Sequence, residues 1–428
     1  MKHTLQGRNV LVVGMGKSGS AALELLRQHG ANASATDEKP AFPEVLPQTD
    51  ETFTSADLIV LSPGVPVDIG PVNAARAKGI PIIGEIELAS YFLRGPIVGI
   101  TGSNGKTTTT ALIDHLLKQC GIPAQVGGNI GTPPTAMIAS SRDDQWNVLE
   151  LSSFQLETID EFRAQIGVCT NISPDHLDRH HTMENYANAK GRLFETQTPN
   201  CHAVLNADDE YCVAYASRTP AAKHWFSRRK ANELYFDGTS ILVDSGTLIR
   251  ADELPIRGVH NVENAMAAVT AARIAGAALD RLATALRTFP GVEHRLEFVR
   301  ERNGVQYYND SKATNVDATE KAIDAFPGNL WIILGGKDKN SDYTVLRDKL
   351  RTKAKSVLLI GSAAPKIAEQ LQGLPLVESG AIDRALERAA SQAVAGDVVL
   401  LAPACASFDQ FDNFEHRGRV FKELVRSL

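Results

Sequence analysis

The octapeptide Thr101-Gly102-Ser103-Asn104-Gly105-Lys106-Thr107-Thr108 follows an apolar segment that opens at Ile97 and leads into a patterned stretch ending near Cys120. A strand, a glycine-containing turn and a helix in that order leave few folds open. The turn can bring successive backbone N–H groups onto one anion, and the N-terminus of the next helix adds its partial positive charge. Leu112, Ile113, Leu116, Leu117 and Cys120 recur at three- and four-residue spacing, which predicts the helix. In such a loop Lys106 reaches the β- and γ-phosphates of a nucleoside triphosphate, and the Thr107 hydroxyl is placed to hold magnesium. The strict pattern G-x-x-x-x-G-K-[ST] fails here: its first glycine falls on Ile100, and Gly99 sits one residue early. The expectation is a triphosphate site in a variant loop.

A chain of 428 residues is too long for one ordinary core, and two to three domains are expected. The net charge of −6 argues against a large nucleic-acid footprint. Five cysteines, odd in number, scattered and without a C-x-x-C pair, fit free thiols in a reducing compartment. The segment from Met1 to Arg8 lacks the apolar core of a signal peptide, and no run approaches the roughly 18 apolar residues of a membrane span. A cytoplasmic protein with neither nucleic acid nor membrane as partner is expected. No motif argues strongly for an oligomer, and a monomer is expected.

Three α/β segments follow one another, at 1–94, 95–295 and 296–428. The first opens with the strand candidate Asn9-Val10-Leu11-Val12-Val13 and continues with Asp57 to Leu61 and Ile80 to Ile83. Arg94-Gly95-Pro96 then stops a helix. The second carries the phosphate loop and the candidates Asn147 to Leu151, Ile166 to Thr170 and Ala203 to Asn206. In the third, Val305 to Tyr308, Leu330 to Leu334, Ser356 to Ile360 and Asp397 to Leu401 alternate with helical stretches. Such alternation predicts parallel sheets.

Several polar clusters fall just after strand candidates, where open α/β sheets bind ligands. Gly14-Met15-Gly16-Lys17-Ser18-Gly19 fits G-x-G-x-x-G, with Asp37 about 20 residues on. That turn suits any pyrophosphate, whether of NAD, FAD or a UDP-sugar, or it is only a tight turn. Glu150 ends an apolar run downstream of the phosphate loop, placed to share the magnesium of Thr107 rather than to sit as a surface acid. His176 lies in a polar stretch after Ile166 to Thr170, with His180 and His181 as bystanders. Lys190 reads by default as an exposed helix lysine. Asn309 to Asn315 and Cys405 to Phe414 offer an ammonium and several hydroxyls, suited to a ligand with more than one carboxylate or to helix capping.

Taken in order, these motifs resemble the Mur ligases over essentially the whole chain. The T-G-S-N-G-K-T-T loop is that family's variant, and Leu149 to Gln155 and His260-Asn261-Val262-Glu263-Asn264-Ala265 are family-wide. Asp310 to Asn315 and Ala404 to Phe411 point to the member that adds D-glutamate. The resemblance implies an α/β protein of three domains: a Rossmann-like N-terminal one for the UDP end, a central phosphate-loop ATPase with a mostly parallel sheet, and a Rossmann-like C-terminal one for the amino acid. It implies an ATP-dependent amide ligase joining D-glutamate to UDP-N-acetylmuramoyl-L-alanine through an acyl phosphate, in peptidoglycan precursor synthesis. It implies that Thr101 to Thr108 (Thr101, Gly102, Ser103, Asn104, Gly105, Lys106, Thr107 and Thr108), Asn264, Arg295 and Asp310 bind ATP. Thr107, Glu150, His176 and Lys190 would hold two magnesium ions, with Lys190 carbamylated, and Lys106, His176 and Lys190 would be catalytic. Lys17, Ser18, Asp37 and the Ser62-Pro63-Gly64 turn would take the UDP end, Asn129 the muramoyl end, and Lys312, Thr314, Lys339, Ser407 and Phe414 the D-glutamate.

Overall fold

The apolar runs opening at Asn9, Ile97 and Val305 each become an inner strand of a separate sheet. The computed structural model describes residues 4–38, 45–244 and 246–428, without the side chain of Asp178. Met1 to His3 of the N-terminal segment lie outside it. The chain divides into two compact units: Met1–Glu253 with Val262–Phe289, and Leu254–Asn261 with Pro290–Leu428.

The first unit holds two sheets. One has five parallel strands in the order Val45–Leu46, Asn32–Thr36, Asn9–Val13, Leu58–Leu61, Ile82–Gly84. The other has nine, with Ile97–Thr101 between Ile166–Cys169 and Trp146–Glu150. Its far edge is an antiparallel meander of Leu234–Phe236, Ser240–Val243 and Gly246–Arg250 that the apolar pattern does not reveal. The helix Lys106–Gln119 lays Leu112, Ile113, Leu116 and Leu117 into the core, so the three- and four-residue spacing is realised.

In the second unit six strands run in the order Glu297–Arg302, Val305–Asn309, Val398–Leu401, Leu330–Gly335, Ala354–Ile360, Leu376–Gly380. Only the Glu297–Arg302 pairing is antiparallel. Apolar clusters fill both faces of this sheet, around Tyr308 and Phe326 on one and Phe421 and Ile333 on the other. The fold is a mostly parallel α/β architecture of three sheets. In each, the polar clusters singled out in the sequence follow the carboxyl ends of inner strands.

Candidate active site

The phosphate loop is held open by two glycines and buckled to its neighbour. Gly105 caps the helix Lys106–Gln119 at φ +85, and a Cβ there would lie 2.1 Å from Asn264 Oδ1. Gly102 sits at φ +140, and its Cβ would lie 2.0 Å from Thr170 Oγ1. Neither position admits a side chain. Across the loop, Asn104 N donates to Asn171 Oδ1 at 3.0 Å, and Thr170 Oγ1 donates to Asn104 O at 2.6 Å. Ser103 Oγ lies 3.0 Å from Tyr186 OH and donates to Ser173 O at 2.9 Å.

Two lysines meet on one carbonyl. Lys106 Nζ donates to Gly102 O at 2.8 Å and to Ser103 O at 2.9 Å, and Lys190 Nζ donates to the same Gly102 O at 2.8 Å. Lys190 is not the exposed helix lysine of the default reading: it is 2% exposed, on the inner face of the helix Met183–Glu195. Burial, and then the Lys106 charge, hold its pKa well below the ordinary lysine range.

Glu150 ends its strand beside this loop, buried. Its Oε1 accepts from Asn129 Nδ2 at 2.9 Å, while Oε2 has no partner among the described residues. An orphaned buried carboxylate oxygen is costly unless something else satisfies it, and a hard divalent cation would do so. Thr107 is buried at the start of the helix Lys106–Gln119. His176, half exposed at φ +53, packs edge-on to Phe154 at 4.9 Å and lies 3.5 Å from Asp175. No group of three or more His, Cys, Asp or Glu among the described residues forms a metal cluster. His180 is buried against Ser153 and Glu157 and belongs to the packing.

A cleft of about 750 Å³ gathers Lys17, Ser18, Asp37, Gly64 and Asn129. Lys17 and Ser18 open the helix Lys17–Gln28. Asp37 Oδ2 accepts from Met15 N at 2.6 Å and so shapes the glycine turn. Ser62 Oγ donates to Gly14 O at 2.6 Å, tying the two cleft loops together. Asn129 lines this cleft and touches Glu150 as well, which joins it to the phosphate-loop side.

Arg295, Asp310, Lys312, Thr314, Lys339, Ser407 and Phe414 all belong to the second unit. Asp310 is buried there, and desolvation pushes its carboxyl up to about 7 against the pull of Arg295. Arg295 Nε has no hydrogen-bond partner among the described residues. Lys312 Nζ lies 5.4 Å from the centre of the Phe414 ring. Ser407 is buried, and Ala406 beside it pairs with Lys337, whereas Lys339 is exposed.

Two structural residues were invisible to motif reading. Arg417, 0% exposed on the helix Phe414–Ser427, donates to Ser311 O at 2.9 Å, Ser311 Oγ at 3.0 Å and Cys405 O at 3.1 Å. It clamps the Lys312 and Ser407 loops together. Glu85 Oε1 accepts from Thr135 N at 2.8 Å and Thr135 Oγ1 at 2.6 Å, and so holds the end of the loop that carries Asn129. Burial lifts its pKa to about 7. The sequence signal in both cases was slight: a charged residue at an inward-facing helical position.

The chain matches family models described as Mur ligase MurD-like, N-terminal domain over 8–84, Mur ligase middle domain over 100–272, and Mur ligase, glutamate ligase domain over 294–405. It belongs to the Mur ligase family. Its relatives include the UDP-N-acetylmuramoylalanine–D-glutamate ligases of Solibacter usitatus, 58% identical with 99% of each chain covered, and Acidobacterium capsulatum, 50% identical with 98% and 96% covered. Among solved structures, MurF ligase from Thermotoga maritima in complex with ADP shares the fold at a TM-score of 0.65, with 18% identity and 100% of each chain covered.

Proposed function

We propose that this protein joins D-glutamate to UDP-N-acetylmuramoyl-L-alanine, driven by ATP, as a cytoplasmic monomer in peptidoglycan precursor synthesis. The observation that carries the reading is the full-length match, at 58% identity, to a ligase named for that reaction. No described helix is long and apolar enough to cross a membrane. The proposed division of labour is 1–94 for the UDP end, 95–295 for ATP and 296–428 for the amino acid.

In the cleft, Lys17, Ser18 and the helix N-terminus would take the pyrophosphate, with Gly64 allowing close approach. Asn129 would meet the muramoyl end. Lys106 would exchange its two loop carbonyls for phosphate oxygens, with Thr101 to Thr108 and Asn264 around them and Arg295 and Asp310 completing the ATP site. The substrate carboxylate attacks the γ-phosphorus, the bond to the ADP oxygen breaks, and an acyl phosphate forms. The D-glutamate amine, its acid held by Lys312, Thr314, Lys339, Ser407 and Phe414, then attacks the acyl carbon. Phosphate leaves and the amine proton passes to solvent. The protein contributes positioning and charge stabilisation.

Thr107, Glu150, His176 and Lys190 are the residues that would hold two magnesium ions, and the orphaned Glu150 oxygen supports this. Bound magnesium neutralises phosphate charge during phosphoryl transfer. An ammonium on Lys190 opposes a cation, so Lys190 fits the set only as a carbamate. Its lowered pKa favours the neutral amine, whose nitrogen can attack carbon dioxide, form the C–N bond and lose a proton to solvent. Phosphate release from ATP, measured with UDP-N-acetylmuramoyl-L-alanine and each candidate amino acid in turn, tests the reading. Release with D-glutamate is expected; release only with another amino acid would overturn it.

A further inference from the structure

Arg179 makes contacts that none of the roles above explains. Its Nη1 donates to Pro63 O at 3.2 Å and its Nη2 to Val65 O at 3.0 Å, so the guanidinium grips the cleft turn on both sides of Gly64. Nη2 also meets Glu157 Oε2 at 3.1 Å. The guanidinium carbon lies 4.1 Å from the centre of the Phe154 ring. The His176 ring packs edge-on to that same Phe154 at 4.9 Å. His176 is also the left-handed residue that starts the short helix Leu177–His180, on which Arg179 sits. One planar side chain thus touches the cleft turn with its donors and, with its face, the ring that supports His176. Lysine could not do both, because it lacks the fork and the flat face.

We propose that Arg179 is a positioning residue that couples occupancy of the nucleotide-sugar cleft to the orientation of His176 on the ATP side. The inference rests on the reading that UDP-N-acetylmuramoyl-L-alanine fills the cleft and that His176 serves Mg–ATP. A ligand that seats Ser62 to Val65 in one position fixes both carbonyls, hence the guanidinium, hence Phe154 and His176. Packed side chains with few arrangements carry such coupling, and linkage makes it reciprocal.

The test is a binding cycle on the full chain. Calorimetric titration gives the Kd of a non-hydrolysable ATP analogue with magnesium, with and without saturating UDP-N-acetylmuramoyl-L-alanine. The wild type should bind the analogue about five-fold or more tightly when the cleft is filled. In Arg179→Ala that ratio should fall below about two-fold, while each ligand still binds alone. Arg179→Lys carries the test if the alanine variant does not fold: it keeps the charge opposite Glu157 but not the double grip, and its ratio should fall below half the wild-type ratio. A wild type that binds both ligands without coupling, or variants that keep the full ratio, would overturn the role of Arg179 and leave the proposed function standing. A wild type that binds neither ligand would overturn the proposed function itself.

Discussion

Lys190 in the first unit and Arg417 in the second are both buried basic side chains that donate to backbone carbonyls, with no ion pair to a carboxylate of the described residues. Their fates differ because their chemistry differs. Desolvation pushes the pKa of both down, but Arg417 stays at about 10 and therefore charged, whereas Lys190 falls well below its ordinary range. The guanidinium spreads its charge over several donors and spans two loops, which makes it a clamp. The lysine touches one carbonyl that it shares with Lys106, and it can shed its proton. A buried arginine on carbonyls keeps its charge and ties loops together; a buried lysine beside another cation gives its proton up more readily.

Substitution of the lysines should break this contrast with the largest effect. Lys106→Ala and Lys190→Ala should each lower turnover by roughly 10²–10³-fold, the scale of a lost charge-stabilising group. Short carboxylates such as formate should restore part of the activity to Lys190→Ala and none to Lys106→Ala, read by phosphate release. Equal rescue of both, or of neither, would contradict the assigned difference.

Arg417→Met should act on the scaffold. It leaves the carbonyls of Ser311 and Cys405 without their donor and should cost about 3 kcal/mol in urea unfolding, with a higher KM for D-glutamate. Arg417→Lys should recover only part of either. An Arg417→Met protein of wild-type stability and KM would remove the clamp from the account.

Much of this was legible in the sequence. The strands opening at Asn9, Ile97, Val305 and Leu330 lie where branched apolar runs predicted them. The cleft gathers the five residues that motif position had assigned to one substrate. Asn32–Thr36 was missed because Asn-Ala-Ser-Ala-Thr has almost no apolar signal and becomes a strand by pairing with Asn9–Val13. Arg417 and Glu85 were missed for a different reason. Helical spacing tells which face turns inward but not which charged residue on it finds partners, and those partners are 106 and 50 residues away in sequence.

Glu85 offers the smallest and most specific effect. Its folded value of about 7 lies above its ordinary 4.5, so the folded protein holds a proton there that the unfolded chain has released. Its contribution to stability is therefore fully present below about pH 4.5 and is lost as the pH rises through 7. Glu85→Gln keeps an oxygen for Thr135 and cannot ionise. Between about pH 5 and pH 8, unfolding free energy should shift in favour of the variant over the wild type by roughly 1–3 kcal/mol. A difference that does not change with pH would mean that Glu85 is already ionised when folded.

The contrast between Lys190 and Arg417 comes down to the carbamate proposed on Lys190. Carbon-13 NMR of the protein equilibrated with labelled bicarbonate reads that directly. The account predicts a carbamate resonance in the wild type and in Arg417→Lys, absent from Lys190→Ala. An active wild-type enzyme with no such resonance would contradict it.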